Sequence, residues 1–231
     1  MIGWLSFFAA LFLFFATHFL PARGGLREAL IARLGRRGYF ALYGGLSVAL
    51  LAWLVAAAAR APYVELWPNL PWQRWAPTLV MPVALFLVVA GIRLPYPYTL
   101  GGRRDRPFNP LYPGFAAVTR HPLLWALALW SGAHLLPNGD LAHVILFGSF
   151  LGLSLAGMRV FDARARRAMS PDDARIAFRA TELLSPLPLF SAIWRENNES
   201  ALSVRLVIAI ILWAVILWWH QTVIGVSPLP L

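Results

Sequence analysis

Long apolar stretches alternate along the chain with short polar connections that carry proline, glycine or arginine. Apolar runs of about 18 or more residues are long enough to cross a bilayer as α-helices, and the breaks between them place six such spans. They fall at residues 2–20, 38–59, 77–94, 115–136, 141–160 and 204–224. A "PNGD" turn at 137–140 folds the fourth and fifth spans into a tight hairpin. In the first connection, "LREALIARLGRRG" sets Leu26, Leu30, Ile31 and Leu34 at helical spacing, the pattern of a short amphipathic helix lying on the membrane surface. The second connection, "YVELWPNLPWQRW", carries Trp67, Trp72 and Trp75, residues suited to the headgroup layer because an apolar ring and a polar N–H are both accommodated there. The expected fold is all-α: a polytopic membrane helix bundle of about six transmembrane helices plus short interfacial helices, forming one domain over residues 1–231.

Composition agrees with this pattern. The chain is 59% hydrophobic over 231 residues and has a mean hydropathy of +0.64, more apolar surface than one water-soluble core hides. Cysteine is absent, which excludes disulfides, thiolate metal sites and thiolate catalysis. The net charge of +10 does not point to nucleic acid, because the arginines gather between apolar runs instead of forming a basic stripe interleaved with aromatics. Arg23, Arg27, Arg33, Arg36 and Arg37 occupy the first connection, Arg103, Arg104, Arg106 and Arg120 the third, and Arg159 to Arg205 flank the fifth. The second connection has only Arg60 and Arg74, and the fourth has none. The positive-inside rule then predicts a bacterial inner (cytoplasmic) membrane protein with odd-numbered connections in the cytoplasm and both termini periplasmic. The opening "MIGWLSFFAALFLFFATHFLPARGG" lacks a positive n-region and a small-residue cleavage site, and reads as a retained helix.

Five histidines are the main candidates for chemistry. His143 and His220 sit near span ends and read as interfacial. His18 closes span one and His121 opens span four, so both are expected at similar depth on the arginine-rich side. His134 lies thirteen residues beyond His121, about 20 Å along an α-helix, so those two cannot share one small metal centre. No His-Glu-x-x-His or similar carboxylate pairing lies inside the spans, leaving a hydrolytic zinc site without support. Two imidazoles and an apolar slot suffice for haem, and depth alone favours His18 with His121. The segment "LPYPYTLGGRRDRPFNPLYPGFAAVTRHP" has two readings: a solvated cytoplasmic loop, or a lid gripping an anionic group through Arg103, Arg104, Arg106 and Arg120.

The stretch "TRHPLLWALALWSGAHLLPNGDLAHVILFGSFLGLSLAGM", with "THFLPA" closing span one and "LREALIARLGRRGYFALYGGLSVALLAWLV" leading through span two, resembles the NnrU family of bacterial membrane proteins over most of residues 1–160. The family takes its name from a gene associated with expression of nitrite and nitric oxide reductases in denitrifiers. Its relatives include the plant and cyanobacterial 15-cis-zeta-carotene isomerases, which bind haem b. The resemblance implies haem b as cofactor, with His18 and His134 as iron ligands and Arg120 and His121 as the shared Arg-His-Pro element. Where the isomerase pattern has a cysteine three residues before the second ligand, this chain has Ser131, so a thiolate ligand switch is unavailable. The expected function is haem-linked nitrogen-oxide or haem metabolism, or isomerisation of a lipophilic polyene. Membrane lipids, a lipophilic substrate or haem, and a reductase or haem-delivery protein are the expected partners.

Two other classes compete. "YPGFAAVTRHPLLW" and "FRATELLSPLPLF" are similar to segments of membrane methyltransferases that use S-adenosylmethionine, with Asp162, Asp172, Asp173 and Glu182 a loose counterpart of their acidic residues. A non-catalytic assembly factor for nitrite or nitric oxide reductase also accommodates the scarcity of carboxylates within the spans.

Overall fold

The computed structural model describes residues 2–22 and 25–229; Arg23 of the first connection lies outside the described residues. The α-helices are α1 Ile2–Phe19, α2 Leu26–Ala59, α3 Trp75–Gly91, α4 Pro122–Leu135, α5 Leu141–Ala168, α6 Pro171–Ala180, α7 Ala192–Glu196 and α8 Glu199–Ile224. Among the described residues the only extended pairing is an isolated antiparallel bridge between Glu65 and Asp140. Among the described residues five helices are long and apolar enough to cross a membrane: α1, α2, α3 with its preceding turn, α5 and α8. An all-helical membrane bundle follows directly, since helices satisfy their own backbone groups where no water can.

The chain divides into two compact units, Met1–Pro68 with Asn138–Leu146, and Asn69–Pro137 with Phe147–Leu231. In the first unit α1 packs along α2, burying Phe7, Ala10, Leu54, Ala57 and Ala58. The amphipathic segment anticipated at the start of this unit forms the first turns of α2. Gly35 sets it off from the rest by a break in the helix at φ 70°, ψ 160°, a conformation that favours a residue without Cβ. The "PNGD" turn is pinned by the second connection: the Leu66 and Trp67 N–H groups donate to the Gly139 carbonyl at 2.8 and 3.2 Å, and the Leu141 N–H to that of Val64 at 2.9 Å. A Cβ at Gly139 would collide with the Trp67 carbonyl.

In the second unit α3 packs against α4 and α8. Its core joins Leu87 and Ala90 of α3 and Ala126 of α4 to Leu94, Tyr96, Phe115, Ala116 and Val118 from the connection between them. That connection is core at its start, where Leu94 and Tyr96 are fully buried and Thr99 nearly so, and exposed over its arginine-bearing stretch 104–107. Helices α4 and α5 run antiparallel, with Trp130 edge-on to Phe147 and Phe150 and Leu124 against Gly157.

Span four differs from expectation. It does not begin near residue 115; residues 114–117 form a short 3₁₀ turn and the α-helix starts only at Pro122. Proline crowds the residue before it out of the helical region, and His121 accordingly sits at φ −128°, ψ 52°. The 14 residues of α4 extend about 21 Å, less than the roughly 30 Å of a hydrocarbon core. No residue from Pro122 to Leu135 is exposed, and non-helical backbone is tolerated at membrane depth only where protein or a water-filled cavity covers it. The even span count that puts both termini on one side thus depends on α4 serving as a crossing. Helix α5 departs in the other direction, continuing to Ala168 instead of stopping near 160, and this carries Asp162 onto a rigid element.

Candidate functional site

The sequence Thr119-Arg120-His121-Pro122 builds a polar cluster at the start of α4. The turn before Pro122 lies against the stretch after α6, and backbone hydrogen bonds join the two. The Arg120 N–H donates to the Glu182 carbonyl at 2.8 Å, the Glu182 N–H to Ala116 at 3.2 Å, and the Ser185 N–H to Val118 at 2.9 Å. The Thr119 hydroxyl and the Trp125 indole N–H both donate to the Leu183 carbonyl, at 2.8 and 3.0 Å. Residues 181–185 are thereby fastened to the Arg-His-Pro element.

Asp162 is the hub of the cluster. Arg120 grips it with both arms of its guanidinium, Nε to Oδ1 at 2.8 Å and Nη2 to Oδ2 at 2.6 Å. His121 Nε2 lies 2.8 Å from Oδ1, and Nδ1 lies 2.8 Å from the Thr99 hydroxyl. A carboxylate only accepts, so Nε2 carries the proton, and in the neutral ring Nδ1 accepts from Thr99. Arg120 also donates to the Thr181 carbonyl at 3.5 Å and lies over the Phe178 ring. Side-chain exposures of 10% for Arg120, 0% for His121 and 19% for Asp162 make this a largely desolvated charge pair. Tyr96 completes the neighbourhood. Its hydroxyl is buried with no hydrogen-bond partner among the described residues. Burial first, and the negative charge of Asp162 second, push its phenol up to about 12, so it stays protonated.

The structure brings together Arg120 and His121 of the sequence candidates, and leaves His134 at the opposite end of α4. There His134 directs Nδ1 at the Trp130 carbonyl at 2.7 Å, its ring against Trp130 and Phe147. His18 occupies the last turn of α1, in the first unit, with Nδ1 2.7 Å from the Phe14 carbonyl and its ring near Phe14 and Tyr43. His143 pairs with Asp140, which also accepts the His143 backbone N–H, and His220 faces the Val226 carbonyl. Among the described residues no three His, Cys, Asp or Glu side chains gather as a metal site.

Two of the four arginines of the expected lid, Arg103 and Arg120, are engaged by carboxylates. Arg103 forks onto Asp105 at 3.0 and 3.1 Å, joined by Arg93 at 3.5 Å, and this hydrogen bonding holds the Asp105 carboxyl down at about 2. Arg120, the fourth member, is committed to Asp162. Sequence reasoning gave Asp162 only a loose role and passed over Thr99 entirely. The available signal was Asp162 as the single carboxylate of α5, at the end of an apolar span where the other charges are arginines.

Five long apolar helices among the described residues, with a buried ionic cluster at the N-terminus of α4, define a polytopic helical membrane protein. The family model described as NnrU protein matches residues 6–228. That is nearly the whole chain, and the protein belongs to the NnrU family. No curated protein and no solved structure matches it.

Proposed function

We propose that this NnrU protein binds haem b through imidazole within the membrane, with His18 in the first unit and His134 in the second each a candidate ligand in its own unit, and nitrogen-oxide or haem metabolism as its setting. The observation that carries the reading is the tautomer of these two rings. Each turns Nδ1 to the carbonyl four residues back, at 2.7 Å in both cases. A carbonyl only accepts, so the proton resides on Nδ1 and Nε2 bears the lone pair, as an imidazole that held a metal would need. Both rings lie among aromatic side chains, in keeping with a flat apolar macrocycle. His121 has the opposite arrangement, with its Nε2 proton directed at Asp162, which argues against the pairing of His18 with His121 that helix depth suggests. The commitment of Arg120 and His121 to Asp162 likewise weakens a role for them at an S-adenosylmethionine site.

Haem held there would supply redox chemistry at its iron. The chain's own residues set ligand basicity and exclude water. The reading places the arginine-rich connections in the cytoplasm and includes a reductase or haem-delivery protein as partner.

Absorption spectra of detergent-purified protein from haem-replete cells test this. Wild type should show a Soret band that His18→Ala and His134→Ala each diminish or shift, while folded His121→Ala retains it. A wild-type protein without Soret absorption would refute haem binding; loss on His121→Ala alone would refute the ligand assignment.

A further inference from the structure

Beyond the buried cluster, the far side of Phe178 opens into a cavity of about 530 Å³ lined by Arg166, Pro171, Ala174, Arg175, Phe178 and Arg179. We infer that this cavity binds the phosphate of an anionic phospholipid, held by Arg166, Arg175 and Arg179. The three cations come from two elements. Arg166 lies near the end of α5, and Arg175 and Arg179, four residues apart, share one face of α6 with Phe178. The guanidinium carbon of Arg166 sits 3.8 Å from the centre of the Phe178 ring, a stacking that restrains the side chain while its in-plane N–H groups stay available to an anion. Among the described residues neither Arg166 nor Arg179 pairs with a carboxylate. Arg175 meets Asp172 at 2.9 Å, but both side chains are well exposed, and such a pair holds its cation weakly.

Three guanidinium groups around one open cavity match the oxygens of a phosphate. The neighbouring chain points to lipid as its carrier. Helix α5 is an apolar span whose arginines begin at Arg159. The segment after α6 exposes Leu184, Leu187, Phe190 and Ile193, large apolar residues that are stable beside acyl chains rather than in water. A site combining these with arginines belongs at headgroup depth.

Native mass spectrometry of the full-length protein in detergent, titrated with phosphatidylglycerol or phosphatidylcholine, tests the inference. Wild type should retain one phosphatidylglycerol in clear preference to phosphatidylcholine. Arg166→Gln with Arg179→Gln should weaken that retention about tenfold or more, the scale of losing charge-assisted hydrogen bonds. The control pair Arg33→Gln with Arg36→Gln removes the same charge elsewhere and should change it by less than about twofold. If the double variant does not fold, Arg179→Gln alone, at an exposed position without a carboxylate partner among the described residues, should still weaken retention. Equal losses from both pairs, or equal retention of the two lipids, would overturn the inference. Millimolar inorganic phosphate should leave the lipid bound; full displacement would assign the site to a free phosphate and overturn the lipid as its source.

Discussion

Replacing Asp162 by asparagine tests the buried cluster most directly, because it preserves shape and removes only charge. The guanidinium of Arg120, 10% exposed, would lose its counter-ion, and the Asn side chain can meet only part of the Arg120 and His121 donor set. Breaking a buried ion pair from one side costs roughly 3–5 kcal/mol. The 19% exposure of Asp162 argues for the lower end, about 3 kcal/mol. For a chain of this size each kcal/mol moves the midpoint by about 2–4 °C, so Asp162→Asn should lower Tm by roughly 6–12 °C. Tryptophan fluorescence in detergent can follow this, since eleven tryptophans are present and Trp125 bonds the Leu183 carbonyl beside the cluster. Adding Arg120→Gln should recover part of the loss, because the stranded cation is then gone and contacting residues do not act additively. A single variant within about 1 °C of wild type, or a double variant showing the full sum of both losses, would refute a coupled buried pair.

Tyr96→Phe removes a buried hydroxyl that has no hydrogen-bond partner among the described residues. Stability should stay level or rise by up to about 1 kcal/mol, and a clear fall in Tm would reveal a partner that the arrangement does not contain. Gly139→Ala drives a methyl group into the Trp67 carbonyl and indole. It should cost about 1–3 kcal/mol as overpacking does, visible as a lower Tm; an unchanged Tm would contradict the close approach at the turn.

Much of this protein was legible in its sequence. Apolar length alone places α1, α3, α5 and α8, because in a membrane the helix is the economical way to satisfy a backbone and its signal is local. The hairpin turn and the amphipathic start of α2 were equally readable, both being set by nearby residues. The site was less so. Arg120 and His121 stand out as polar residues at the mouth of an apolar stretch, but Asp162 is 41 residues from His121 and 42 from Arg120 in sequence. No local pattern announces such a partner. The hydropathy that extends back to residue 115 also concealed the late start of α4, where Pro122 outweighs apolar continuity.

The sequence by itself therefore determined an all-helical membrane protein, its principal helices, its charge asymmetry and its resemblance to the NnrU family, all properties carried by composition and short-range order. Only tertiary structure decided which polar groups are neutralised within the protein and which remain for a ligand. It assigned Arg120 and His121 to Asp162, turned Nδ1 of His18 and of His134 to backbone carbonyls, and among the described residues left Arg166 and Arg179 without carboxylates. Charge pairing and ring orientation depend on distances of a few ångströms between residues far apart in the chain, and folding alone sets those distances.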